Sequence, residues 1–93
     1  MTDTAKPLVA VIGAGGIGRG WATLAVSHGW QVTLFDPSAS LSDDARTEVI
    51  GRVRQLQLRG MATGEVVEAG LAAFTCGRSL LQTVTDADWI IET

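Results

Sequence analysis

The sequence predicts an α/β fold, in which helices cover a parallel sheet, and three observations support this prediction. Apolar, β-branched segments alternate with segments of helical period along the 93-residue chain. The first apolar segment, Leu8 to Ile12, has no polar alternation, which is typical of a strand covered on both faces. A turn rich in glycine joins it to the first helix. Because strands joined through helices pair in parallel, we expect right-handed crossovers and the order βαβα(α)β(α)β.

The first helix is predicted from Arg19 to His28, and Gly29 suits the left-handed position that follows a helix. Its predicted packing face combines large apolar residues at helical spacing with small residues beside them. The large apolar positions are Ile17, Trp21 and Leu24, His28 continues their spacing, and the small residues beside them are Gly18, Ala22 and Ala25. A second strand follows from Gln31 to Asp36, where Val32 and Leu34 alternate with polar residues.

The second helix is predicted after Pro37, with Ser40 or Ser42 as its N-cap and Asp43 and Asp44 near its positive end. Gly60 is predicted to end it. Its buried stripe comprises Leu41, Ala45, Val49, Val53 and Leu56. The later elements are one or two helical turns between Met61 and Gly70, a short strand near Phe74 and Thr75, a helical connection from Leu80 to Thr85, and a fourth strand from Trp89 to Glu92.

Composition excludes several classes of function. A net charge of −3 and a pI near 4.8 argue against nucleic acid as a partner. A single cysteine, Cys76, excludes an internal disulfide, and one cysteine with one histidine predicts no zinc site. The sequence has no apolar run of membrane-spanning length, and Met1 to Lys6 lack the apolar stretch of a signal peptide. We therefore expect no membrane contact and a cytoplasmic protein.

The glycine turn carries the functional signal. Gly13, Gly15 and Gly18 form the pattern G-x-G-x-x-G between a strand and a helix, and Asp36 ends the next strand 18 residues after Gly18. This spacing is close to the roughly 20 residues of a dinucleotide-binding fingerprint. The context therefore predicts part of a Rossmann fold, a doubly wound parallel sheet with strand order 3-2-1-4.

Each position of the fingerprint has a predicted physical role. Gly13 permits a tight turn, Gly15 leaves room for a pyrophosphate, and Gly18 lets the helix lie close to the sheet. The amides at the start of the helix, with its partial positive charge, attract phosphate oxygens. The predicted cofactor-binding residues are Gly13, Ala14, Gly15, Gly16, Ile17, Gly18 and Asp36.

Asp36 favours NAD among the nucleotide cofactors. Its carboxylate is suited to accept hydrogen bonds from both ribose hydroxyls and to repel a 2′-phosphate, and no Arg or Lys follows closely to favour NADP. Methyltransferases that use S-adenosylmethionine usually have an acid before the glycine turn, where this chain has Val11 and Ile12. Two alternatives stay open: FAD, which shares the glycine pattern, and a simple turn-opening role for Asp36 before Pro37.

Three segments together resemble the NAD-binding domain of the 3-hydroxyacyl-CoA dehydrogenase family. They are VIGAGGIGRGWA (Val11–Ala22), LFD (Leu34–Asp36) and DADWIIET (Asp86–Thr93). Through Trp21, the segment GRGWA is more similar to the family branch that contains lambda-crystallin and carnitine dehydrogenase than to the fatty-acid branch. The resemblance implies an oxidoreductase of fatty acid metabolism or a related pathway. Such an enzyme transfers a hydride between NAD and the 3-hydroxyl of a 3-hydroxy acid or a 3-hydroxyacyl-CoA.

The resemblance covers residues 1–93 as the N-terminal part of one NAD-binding domain, with no second domain. The family's catalytic histidine and its partner glutamate have no counterpart here, and His28 is predicted to be a structural residue at a helix end. We therefore expect this chain alone, truncated after the fourth strand, to be inactive. The alternative hypothesis is a stand-alone, non-catalytic nucleotide-binding or assembly module. The coding sequence beyond Thr93 would distinguish the two.

The fourth strand has two further expected roles. As an apolar edge strand, Trp89 to Glu92 is expected to pair with another copy, which predicts homo-oligomers. Glu92 and Thr93 close the chain where the family's cofactor cleft continues, so a ligand contact at either residue is a further hypothesis.

Overall fold

Residues 6–93 are described by the computed structural model, and their four strands form one parallel sheet in the order β3-β2-β1-β4. The elements are β1 (Leu8–Ile12), α1 (Gly16–Ser27), β2 (Gln31–Phe35), α2 (Ala39–Leu58), α3 (Gly64–Ala72), β3 (Thr75–Cys76), α4 (Leu80–Thr85) and β4 (Trp89–Glu92). The predicted α/β class, strand order and doubly wound topology are confirmed. Of the segment from Met1 to Lys6, for which no signal peptide is predicted, the first five residues lie outside the described range.

β1 is the central strand and is paired along both edges. Leu8 to Ile12 pair in register with Gln31 to Phe35 of β2, and Val9 to Ile12 pair with Trp89 to Glu92 of β4. Because all these strands are parallel, their carboxyl ends lie at the same end of the sheet. The glycine turn after β1, Asp36 after β2 and Thr93 after β4 therefore meet there.

The core lies between the sheet and the helices α1, α2 and α3. Val9, Val11, Val32 and Leu34 of the two inner strands are almost completely buried. The middle of the predicted α2 stripe is confirmed, because Ala45, Val49 and Val53 are fully buried, whereas its ends, Leu41 and Leu56, keep some exposure.

The prediction for α1 is wrong in the start of the helix and in the large residues of its packing face, whereas the small residues beside them are buried as predicted. The helix begins at Gly16 rather than Arg19 and ends at Ser27, with His28 as its C-cap. The small residues Gly18, Ala22 and Ala25, together with Val26, face the sheet, whereas Ile17, Trp21 and Leu24 are 71%, 46% and 52% exposed. The reason is distance: the backbone of α1 approaches the glycine turn so closely at Gly18 that larger side chains face outward.

The N-cap of α2 is Ser38 rather than Ser40 or Ser42. Its Oγ accepts a hydrogen bond from the Leu41 N–H at 3.2 Å. The helix therefore starts earlier than predicted, and Asp43 and Asp44 lie beyond its first turn.

Later elements also differ in part from prediction. α3 is a regular helix of nine residues, and the buried Phe74 precedes β3 rather than lying within it. Trp89, the first residue of β4, is 62% exposed. No helix of the described range is both long and apolar enough to cross a bilayer.

Candidate functional site

The glycine turn leaves β1 through a backbone conformation that suits glycine. Gly13 has a φ of +109°, a conformation that residues with a Cβ rarely adopt. Its N–H donates to the Phe35 carbonyl oxygen at 2.8 Å. A Cβ at Gly13 would also meet the Thr93 hydroxyl. The turn is thus fastened to the end of β2 and lies beside the end of β4.

Gly18 and Gly15 are required for different reasons. A Cβ on Gly18 would overlap the Gly13 carbonyl oxygen and lie 3.0 Å from its carbon, so the chain itself needs glycine there. Gly15 has ordinary extended backbone angles, φ −80° and ψ −170°. Apart from Gly15 itself and its two chain neighbours, no heavy atom of the described chain would lie within 4 Å of a Cβ on it. The fold of the described residues therefore leaves open space beside Gly15.

The first turn of α1 faces this open space with backbone donors. Gly15 is the N-cap, and none of the described side chains caps the helix or places an acid in its first turn. By helix geometry, the N–H groups of Gly16, Ile17 and Gly18 have no acceptor within the helix. Such amides at the positive end of a helix suit an anion.

Asp36 lies directly beside the glycine turn. Its Oδ2 accepts a hydrogen bond from the Ala14 N–H at 3.0 Å, and its Oδ1 accepts one from the Ser38 N–H at 2.9 Å. The Ala14 bond, and then the Ser38 bond, hold the pKa of Asp36 below its ordinary value, so the carboxylate is charged at neutral pH. The turn-opening role is therefore real, and the same carboxylate keeps lone pairs for further donors.

The structure thus brings all seven sequence-predicted site residues together at the carboxyl ends of the strands. It also places there one residue that the sequence analysis did not assign. The Nε of Arg19 donates to the Ala14 carbonyl oxygen at 2.9 Å, and its Nη1 lies 2.6 Å from the Glu48 Oε1 on α2. No sequence signal pairs two residues 29 positions apart on different helices.

The remaining reactive residue types do not join this site. His28 caps the far end of α1, where its Nδ1 lies 2.8 Å from the Leu24 carbonyl oxygen. Burial raises the pKa of the Cys76 thiol, which keeps it protonated and unreactive at neutral pH. Residues 6–93 contain no cluster of three acidic, cysteine or histidine side chains that could hold a metal ion.

Comparisons with known proteins agree with this geometry. The sequence model of the family described as "3-hydroxyacyl-CoA dehydrogenase, NAD binding domain" matches residues 8–93. The 3-hydroxyadipyl-CoA dehydrogenase of Escherichia coli is 40% identical over 92 residues, covering 90% of this chain and 18% of the relative. An L-carnitine dehydrogenase of a Pseudomonas species is 32% identical over 83 residues, covering 89% of this chain and 25% of the relative.

A solved structure shows the same arrangement of elements. The crystal structure of 3-hydroxybutyryl-CoA dehydrogenase from Escherichia coli matches with a TM-score of 0.78 and 34% identity, covering 98% of this chain and 19% of that one. The chain thus spans between 18% and 25% of the length of these relatives.

Proposed function

Since the chain belongs to the 3-hydroxyacyl-CoA dehydrogenase family, within its NAD-binding domain, we propose that its glycine turn and Asp36 bind the adenosine diphosphate part of NAD. The amides of Gly15 to Gly18 would bind the diphosphate, and the Asp36 carboxylate would accept hydrogen bonds from the adenosine ribose. The proposed contacts are those of Gly13, Ala14, Gly15, Gly16, Ile17, Gly18 and Asp36.

The observation that carries this proposal is the open space at Gly15. Neither backbone angle nor packing of the described chain requires glycine at this position, in contrast to Gly13 and Gly18. Gly20 and Gly51 are equally open but lie within helices, whereas Gly15 is the N-cap beside the free first-turn amides of α1. At that place, a ligand that comes close to the backbone explains the missing side chain. The charged Asp36 lies beside this turn, where its carboxylate is placed to accept hydrogen bonds from the ribose of the same ligand.

The proposed reaction belongs to the longer protein of which residues 1–93 would be the N-terminal part. NAD, when bound, accepts or returns a hydride, and the proposed substrates are 3-hydroxyacyl-CoA esters or small 3-hydroxy acids. The chain's one histidine caps α1 at the end opposite the glycine turn, so the 93 residues alone should bind cofactor without turnover. A cytoplasmic setting and a role in fatty acid metabolism are part of the same proposal. No finding favours the stand-alone module instead.

Calorimetric titration of the 93-residue chain with NAD and with NADP tests the cofactor assignment. We expect saturable NAD binding and at least tenfold weaker NADP binding, because Asp36 repels the 2′-phosphate. Gly15→Val should lose NAD binding but keep its thermal unfolding temperature, since the side chain enters only open space. Equal affinity for both nucleotides, or undiminished NAD binding by Gly15→Val, would contradict the assignment.

We also propose that the isolated 93-residue chain self-associates along β4. Among residues 6–93, this strand pairs only with β1, so its second edge has unpaired backbone groups. Beside it lies an apolar groove of about 510 Å³. Its lining includes Trp21, Leu24, Trp30, Trp89 and Ile91. A second copy would bury these side chains together with the open edge.

Light scattering over a range of protein concentrations tests this self-association. The wild-type chain should show a mass above that of a monomer, and Trp89→Lys should shift it to the monomer because a charge would enter the interface. Leu58→Lys is the matched control, because Leu58 is also apolar and is 80% exposed but lies at the end of α2. A monomeric wild type, or equal masses for both variants, would count against the interface.

A further inference from the structure

Ala14 is held on both sides of its backbone. Its N–H donates to the Asp36 carboxylate, and its carbonyl oxygen accepts from the Arg19 Nε at 2.9 Å. Ala14 is fully buried, and only 16% of the Arg19 side chain is exposed. The hydrogen bond from Arg19 is therefore largely shielded from competing water.

The guanidinium of Arg19 is itself held by α2. Its Nη1 lies 2.6 Å from the Glu48 Oε1, while the other oxygen of Glu48 pairs with Arg52 one turn further along α2. The hydrogen bond from Arg19 keeps the pKa of Glu48 below its ordinary value, so the glutamate is charged at neutral pH. The longest helix of the chain thus supports the glycine turn through one side chain.

The hydrogen bond from Arg19 affects Gly15 through the planar peptide bond between Ala14 and Gly15. In a trans peptide the N–H points opposite to the carbonyl that precedes it. Because Arg19 fixes the Ala14 carbonyl, it also fixes the direction of the Gly15 N–H, which belongs to the same peptide group. Without Arg19, this peptide could rotate and turn a partial negative charge toward an anion.

We propose that Arg19, braced by Glu48, is a positioning residue that orients the Ala14–Gly15 peptide toward the diphosphate of the bound nucleotide. This inference rests on the proposed function, because it concerns the same glycine turn. Arg19 acts through the backbone, because its Nε donates to the Ala14 carbonyl oxygen and its Nη1 donates to the Glu48 carboxylate.

The test compares Arg19→Met with Arg52→Met. The second variant removes the other positive charge that pairs with Glu48 and leaves the glycine turn unchanged. Calorimetry with ADP and with adenosine separates diphosphate binding from ribose and base binding. We expect Arg19→Met to weaken ADP binding about tenfold and adenosine binding less than twofold. Arg52→Met should leave both affinities within about twofold. Equal ADP affinities in the two variants, or full rescue by Arg19→Lys, would overturn the positioning role.

A second readout needs no ligand and keeps the two proposals distinguishable. The Ala14 amide is buried and bonded to Asp36, so its hydrogen exchange reports how firmly the turn is held. Exchange at Ala14 should become about tenfold faster in Arg19→Met and stay unchanged in Arg52→Met. Unchanged exchange in both variants would refute the inference about Arg19 even if wild-type chain binds NAD. A wild type that binds neither ADP nor NAD would instead refute the proposed function.

Discussion

Replacing Gly18 by alanine is expected to lower the free energy of unfolding by roughly 2–4 kcal/mol. The new Cβ would overlap the Gly13 carbonyl oxygen. Because the backbone fixes the position of a Cβ and the oxygen is itself a backbone atom, no side-chain rotation relieves the clash. Relief requires α1 to move away from the turn. The same movement would separate the first-turn amides from the end of β1, so NAD binding should be lost as well.

Gly20→Ala is the matched control for this prediction. Gly20 lies in the same helix two residues later, and beyond the neighbouring backbone of α1 a Cβ there would meet no described heavy atom within 4 Å. Because alanine is the better helix former, this variant should gain about 0.5–1 kcal/mol. Urea unfolding of both variants measures the difference, and similar stabilities would show that α1 does not depend on close approach at Gly18.

The second large effect is expected from Asp36→Ala, which should weaken NAD binding by about ten- to a hundredfold. A hydrogen bond to a charged group contributes about 1.5–3 kcal/mol, which corresponds to that range of affinity. The charge that repels a 2′-phosphate also disappears, so NADP affinity should fall less than NAD affinity. Titration with both nucleotides measures the loss and the change in selectivity.

Two variants separate the cofactor role of Asp36 from its role in the turn. Asp36→Asn keeps an oxygen that can accept the Ser38 N–H, so its thermal stability should exceed that of Asp36→Ala. Asp44→Ala removes an equal charge from an exposed site on α2 and should leave NAD affinity unchanged. If Asp36→Ala and Asp44→Ala bind NAD equally well, the ribose assignment fails.

The strands were the most predictable part of the fold, for a physical reason. Leu8–Ile12 and Trp89–Glu92 match the sequence prediction residue by residue, because short apolar, β-branched segments between polar breaks have few other uses. The face of α1 was not predictable in this way. Its large side chains suggested a packing face, whereas the helix buries its small residues because it lies so close to the turn.

The site shows the same division between local and tertiary information. The approach of Asp36 to the glycine turn follows from the spacing of two parallel strands, and the structure has the carboxylate in contact with Ala14. The N-cap Ser38 and the ion pair between Arg19 and Glu48 were missed. The sequence offers several serines that could cap α2, and local pattern alone did not identify the one that does. The ion pair depends on how α1 and α2 pack against each other, which a local sequence pattern does not determine.

The glycine turn is held by three groups: the Phe35 carbonyl and the Asp36 carboxylate at the end of β2, and the Arg19 guanidinium, which Glu48 of α2 braces. A nucleotide bound there would occupy a cradle that exists only when all three are assembled. Mass action then couples occupancy to folding, and a ligand at a hundred times its dissociation constant adds about 2.7 kcal/mol to the assembled state. The cellular supply of dinucleotide would thereby set how much of this chain stays folded.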